Sequence, residues 1–415
     1  MTKKDNVKRY LSLSGVAIGH HMMFLVPYAA STFYMAFQNA TGFTGTQIGM
    51  CITMLGIFCT IFYFPNGFIT DRVSTKKLLF WGLFLSGILG LCLAALPGYG
   101  IMLVIYFGMA VTTVLLSYSA SIGKSMRLLG TDEEQGKLYS VRTIVRNVVA
   151  IPISFIGAWL IAILPSERLA MQIILVTYSI FTIIGAFMFR IFFTPVVEDP
   201  AKEKSITFKD FMEVLKIRNI WLIGLFGFAV YLASISLIYI QPYMQQFYGL
   251  TTASTSVLGI VYKNIGLISA PLFVYLARKV KPKALTTVIY YSLFISLACF
   301  LFFFIVSAST GILFLAIIVF LIASCCIMAS WSHMFVPIVE VNIPIRLTGS
   351  ATGVVCLFAF LGDVFYYTVC GNLLDNYGDT GFKYIFILTI GVLAVAIIAA
   401  FIVMRYIKKK QQQDS

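Results

Sequence analysis

Continuously apolar runs of about 20 residues recur along the whole chain between short polar breaks, and a run of that length matches the hydrocarbon core of a bilayer when it is helical. With 60% of 415 residues hydrophobic, 11% charged and a mean hydropathy of +0.94, the main solvent of this chain is lipid. The runs are unbroken rather than alternating, which favours helices over a barrel, because backbone groups in lipid must be satisfied within their own segment. The pattern predicts twelve spans, at 10–37, 46–70, 78–97, 99–123, 143–164, 170–192, 219–243, 254–277, 284–307, 311–336, 350–374 and 382–407. An all-α integral membrane fold with no soluble domain follows. Its first apolar stretch lacks a small-residue cleavage site and is expected to stay as a helix.

A net charge of +14 raises the question of nucleic acid, and the placement of the charge answers it. If the N-terminus is inside, the 30 lysines and arginines gather in alternate loops, with only Arg168 and Lys383 in outer loops and Lys263 within a span. That is the positive-inside distribution, so both termini are expected in the cytoplasm and no nucleic acid is implied. The eight cysteines all fall within spans, without metal-site spacing, and read as small packing residues. No metal cluster, nucleophile–base arrangement or phosphate loop is visible, so neither an enzyme nor a cofactor is expected.

The longest break, near 193–218, is charged and central, dividing six spans from six. The expected organisation is a bundle at 1–192, a cytoplasmic linker at 193–218, a second bundle at 219–407 and a tail at 408–415. Within the linker, Ile206, Phe208, Phe211, Met212 and Leu215 have near-helical spacing that suits a short amphipathic helix on the inner leaflet. After the second span comes Gly67-Phe-Ile-Thr-Asp71-Arg72-Val-Ser74-Thr75-Lys76-Lys77, placed in a tight cytoplasmic turn. It resembles the G-x-x-x-D-R-x-G-R-K signature of the major facilitator superfamily at Gly67, Asp71, Arg72 and Lys76, and departs from it at Ser74 and Thr75. The second half keeps a degenerate, acid-free counterpart at Ala277–Lys283. The loop Glu134-Gln135-Gly136-Lys137 is similar to one in bacterial carriers of sugars and organic anions.

The resemblance implies two six-helix bundles, a solute site between them near the midplane, an inner conformational latch at Gly67, Asp71, Arg72 and Lys76, and residence in the bacterial inner (cytoplasmic) membrane. No ATP-binding domain is visible, so protons or another coupling ion are the expected energy source, and one chain is expected to suffice. Span 5 keeps only Pro152 and Gly157 of a glycine-proline run common in drug exporters of this superfamily, which favours import.

Ionisable groups at membrane depth are expensive and point to function. Lys263, with Asn264 beside it, and Asp363 sit at similar expected depths and are candidates for a pair, either structural or involved in solute and proton binding. His21 shares a helical face with Ser14 and Tyr28, which gives span 1 a polar stripe. His20 stays unassigned, and His333 is read as an inner-gate or interfacial residue. Arg142 is placed at the headgroups. Arg146 lies one turn deeper, where a guanidinium either snorkels or grips a carboxylate, sulfonate or phosphate. Trp331 and Tyr366 complete the expected solute contacts, and Asp363 and His21 are the expected proton carriers. The excess of basic groups over acids at depth points to a small anionic solute. A neutral sugar or polyol carrier, and a membrane sensor that binds without transporting, are the alternatives.

Overall fold

The computed structural model describes residues 3–117, 119–196, 208–280, 285–341, 343–344 and 347–413, without the side chains of 3–5, 63–72, 119–121, 132, 208–211 and 410–413. Twelve helices among them are long and apolar enough to cross a membrane. The chain divides into two compact units, Met1–Glu203 and Lys204–Ser415, each with six of these spans.

Span 1, Asn6–Thr32, belongs to a helix that starts at Lys3, breaks at Phe33 and resumes at Tyr34–Thr41. The helix of span 2 runs from Gly45 through Arg72, so Gly67, Asp71 and Arg72 occupy its last turns rather than a loop. Only Val73 and Ser74 separate it from the next helix, which starts at Thr75. Span 5 also starts earlier than its apolar run suggests. A capping box at Thr131 and Glu134 opens a helix from Asp132 to Ile163, which turns the expected Glu134–Lys137 loop into helix.

In lipid no hydrophobic force drives helices together, so close packing falls to small residues. Spans 1 and 6 meet backbone to backbone at Gly15, Gly19 and Gly185. A β-carbon on Gly185 would stand 2.5 Å from the Gly19 Cα, and one on Gly15 would stand 2.8 Å from the Phe189 nitrogen. Gly87 and Gly90 bring span 3 equally close to Ile183 and Ser179 of span 6.

Span 4 loosens into a π-helix at Val111–Leu116, where the Thr113 hydroxyl donates to the Met109 carbonyl (2.6 Å) and Ser86 of span 3 donates to Thr112 (2.7 Å). Hydroxyls therefore take up backbone and side-chain valences around the irregular stretch.

In the second unit, span 7 (Arg218–Tyr248) is the most enclosed of the twelve, with 89% of its apolar window buried, which makes it an internal helix with little lipid face. Gly224 meets Phe358 of span 11, and Gly362 meets Tyr231 and Leu232. Span 7 passes through a 3₁₀ turn at Leu237–Tyr239, and span 11 passes through one at Leu361–Val364 before resuming at Tyr366. The amphipathic segment expected in the linker forms a helix at Phe208–Leu215, and Trp221 Nε1 donates to the Leu215 carbonyl (2.7 Å). Ile206 lies outside the described residues.

Gly185→Val should force spans 1 and 6 apart, at a cost typical of overpacking, about 1–3 kcal/mol. Thermal unfolding in detergent should show a drop of several degrees. Gly100→Val, where an added β-carbon meets nothing within 4 Å, is the matched control and should leave the transition in place.

Candidate functional site

Two groups of polar side chains sit inside the units at span depth, one in each. In the first unit, His20 and His21 on span 1 meet Arg142 and Arg146 on span 5. The Arg142 Nη2 lies 3.3 Å from His20 Nδ1, and the His20 ring meets Phe24 edge-on at 5.1 Å. Both arginines act electrostatically on both histidines, and among the described residues no carboxylate does so. The Nε atoms of Arg142 and Arg146 and the Nε2 of His20 are buried without a hydrogen-bond partner.

Span 5 exposes an apolar stripe at Ile144, Val148, Phe155 and Trp159. Arg146 is two residues from Ile144 and from Val148, roughly 200° around the helix, so the arginines occupy the face turned away from that stripe. Arg142, expected at the headgroups, bonds His20 and is half-buried.

The N-terminal ends of the two helices that carry this cluster are fastened together. Arg9, 5% exposed, makes a bidentate bridge to Glu134, with Nη1 to Oε1 at 3.0 Å and Nη2 to Oε2 at 2.7 Å. The same carboxylate accepts from the Thr131 backbone N–H (3.2 Å), and neighbouring Gln135 donates to the Gly130 and Met126 carbonyls at the end of the Ser119–Leu128 helix. Each polar residue of the Glu134-Gln135 pair thus closes a helix terminus, and together they tie span 1, the Ser119–Leu128 helix and span 5.

Among the latch residues, the side chains of Gly67, Asp71 and Arg72 lie outside the described residues. Lys76 donates from Nζ to the Phe193 carbonyl (3.2 Å), at the C-terminal end of the span 6 helix, where a cation is favoured.

In the second unit, Asp363 is 4% exposed within the 3₁₀ turn of span 11 and accepts a 2.6 Å hydrogen bond from the Tyr231 hydroxyl on span 7. Trp331 of span 10 lies over the Tyr231 ring at 4.5 Å, and Phe360 closes on both rings. Tyr367 hydrogen-bonds Tyr231 and feels the charge of Asp363 and the hydroxyl of Tyr262. A buried carboxyl group is therefore surrounded by phenols and aromatic rings.

Tyr366 points elsewhere. Its hydroxyl shares a hydrogen bond with Ser236 (2.9 Å), to which Thr389 also donates (2.7 Å), joining spans 7, 11 and 12. Lys263 is half-buried near the end of the Thr252–Asn264 helix, and the Asn264 amide turns back to the Ile260 carbonyl (2.8 Å). Tyr28 and His21 are half-exposed, and the Tyr28 carbonyl accepts from the Ser31 and Thr32 hydroxyls. His333 fastens span 10 to span 8 through the Ala270 carbonyl (3.0 Å).

Tyr231, Phe360 and the His20–Arg142 bond were not foreseen in the sequence. The four-residue spacing of Arg142 and Arg146 was the available signal for the last of these.

Paired six-span units with charge kept inside them at membrane depth define a multi-pass protein of the solute-carrier class. The family profile described as Major Facilitator Superfamily matches residues 16–366, and the chain belongs to that family of secondary transporters, which are not enzymes. Inner membrane protein YqcE of Escherichia coli (strain K12) is 24% identical over 412 residues, covering 97% of this chain and 96% of the relative. Inner membrane protein YihN of the same organism is 23% identical over 413 residues, covering 98% of each. A crystal structure of a bacterial homolog of the human lysosomal transporter Spinster, inward-facing and unoccupied, shares the fold with a TM-score of 0.76 at 12% identity over 99% of both chains.

Tyr231→Phe removes the hydroxyl from Asp363 and keeps the ring beneath Trp331. Loss of one hydrogen bond to a buried carboxyl group costs about 1–3 kcal/mol. A lower unfolding temperature in detergent is expected, and an unchanged transition would show that the bond contributes nothing to stability.

Proposed function

We propose that this transporter imports a small anionic organic solute by alternating access in symport with protons, across a bacterial inner membrane with both termini in the cytoplasm. One observation carries the anion reading. Two arginines and two histidines meet on spans 1 and 5, with three buried nitrogen atoms unpartnered and no described carboxylate acting on them. Uncompensated cations at that depth are costly, and an anionic solute would offset the cost while it is bound. Arg146 would grip the charged group, with His21 and Tyr28 on the same span 1 stripe assisting. Lys263, Asn264, Trp331 and Tyr366 remain the proposed contacts from the second unit.

For proton coupling, Asp363 is the proposed carrier and His21 the second. A buried carboxyl group held by a phenol can exchange between ionised and protonated forms as its surroundings change, and Lys263 is its proposed partner. The latch role of Gly67, Asp71, Arg72 and Lys76 rests on the signature alone. The inner-membrane location is supported by the names of the two E. coli relatives, and the orientation by the distribution of basic residues. The close, tilted Tyr231–Trp331 pair favours a second reading, a neutral sugar or polyol carrier, because sugars dock on aromatic faces.

Reconstitution in proteoliposomes tests these readings together. With an acidic exterior, the protein should accumulate one or more of a panel of carboxylates, sugar acids and phosphate esters. Accumulation of neutral sugars alone would select the second reading, and binding without accumulation would indicate a sensor. Arg146→Gln should raise the half-saturating concentration of the transported anion by roughly 10-fold or more, as expected for a charge-assisted bond of about 1.5–3 kcal/mol. Asp363→Asn should abolish pH-driven accumulation while leaving some downhill exchange, and full accumulation in that variant would remove Asp363 as the coupling site. Asp71→Asn should slow cycling and leave binding intact; weakened binding with unchanged transport would reverse that assignment.

A further inference from the structure

A guanidinium has donors and no acceptor, so the 3.3 Å contact between Arg142 and His20 has one possible sense: Arg142 Nη2 donates and His20 Nδ1 accepts. The Nδ1 lone pair is therefore occupied by Arg142. His20 is then a neutral imidazole with its proton on Nε2, and that N–H is buried without an acceptor. The Nε–H groups of Arg142 and Arg146 share that condition. Three buried donors on two helices lack acceptors.

The charged or titratable groups acting on His20 are Arg142 and Arg146 from span 5 and His21 from its own span. Spans 3 and 6, which pack against span 1 at Gly19 through Leu83 and Gly185, add none among the described residues. Among the described residues, every titratable group acting on the ring is a base.

We infer that His20 takes up a proton when the solute binds, released for this role by the transfer of Arg142 from the imidazole to the solute, and that the solute is a dianion. The steps balance. The Arg142 N–H bond to Nδ1 breaks and a bond from the same N–H to a solute oxygen forms. The freed Nδ1 lone pair then takes one proton from water and gives an imidazolium, with N–H donors at both nitrogens. Two guanidiniums match two negative charges, and three open donors match a head group rich in oxygen, as in a phosphate monoester or a dicarboxylate. A monocarboxylate would leave one guanidinium uncompensated and would give the imidazole less reason to charge. Proton uptake is thereby written into the binding step, apart from any later change at Asp363. The inference rests on the anion reading above.

The full chain, purified in detergent and weakly buffered near neutral pH, provides the test. Glucose 6-phosphate and succinate serve as dianion probes and gluconate as the monoanion. At least one dianion should stabilise the protein against heat more than gluconate does, and its addition should draw protons from solution, approaching one per chain. His20→Asn retains an acceptor for Arg142 and should bind the probe without proton uptake, whereas His333→Asn should keep the uptake.

The chain has three histidines, so nitrogen-15 NMR of histidine-labelled protein, assigned with single substitutions, reads the ring directly. His20 should be the neutral Nε2–H tautomer without probe and an imidazolium with it, a readout that stands even if His20→Asn fails to fold, because substitutions at the other two histidines complete the assignment. An Nδ1–H tautomer in the free protein, or uptake that persists in His20→Asn, would overturn the inference while leaving anion binding in place. Stronger stabilisation by gluconate would overturn the dianion assignment. If none of the three probes stabilises the protein, the anion reading itself fails and this inference goes with it.

Discussion

A bilayer interior offers no water to a polar group, so each N–H, C=O and charge at that depth needs a partner within the protein. Helices meet the demand for the backbone. What remains are the side chains and the points where helices loosen, and the notable contacts in both units are answers to that remainder. Thr112, Thr113 and Ser86 cluster at the π-helix of span 4, and Tyr231 meets Asp363 where span 11 changes pitch. Hydroxyls and amides elsewhere also keep open valences, but among the described residues the basic cluster of spans 1 and 5 gathers three open donors of charged or titratable side chains.

The two units handle buried charge by different chemistry. In the first, cations converge without a described acid, and the helices carrying them are set by a glycine seam and by one bidentate ion pair. In the second, a carboxyl group on an irregular turn of span 11 sits among phenols and aromatic rings, one of them on the enclosed span 7. In the proposed reading, the first unit recognises charge on a solute and takes up a proton at His20, while the second holds a further group proposed to change its charge, Asp363. Such a division suits a carrier that must link the movement of a solute to that of an ion.

Span number and the all-helical class were legible because a lipid-facing helix cannot hide its composition. The interruptions were not, since a 3₁₀ or π turn uses the same residues as the helix around it. Residues 132–137 looked like loop because they are charged and contain Gly136, although the Thr131–Glu134 spacing of a capping box was present. Asp363 stood out because an acid at that depth is rare. Tyr231 did not, since span 7 is apolar on all sides and its periodicity marks no special face. The face shared with Ser14 and Tyr28 singled out His21 and left His20 unassigned. Only the lateral packing of spans 1 and 5 brings Arg142 and His20 together, and a single sequence carries no record of it.

The Arg9–Glu134 bridge acts as a datum for everything above it on span 5. Arg142 and Arg146 lie two and three turns beyond Glu134 on one uninterrupted helix, so their azimuth is inherited from that fixed point. One residue inserted between 134 and 142 would swing both guanidiniums by roughly 100° and lift them about 1.5 Å, toward the apolar stripe at Ile144 and Val148. Substitutions that keep the helix regular leave the angle unchanged, whereas a change in its length does not. The segment between the bridge and the arginines is thus a ruler, tolerant of most helix-forming residues away from the buried Leu138 and fixed in count.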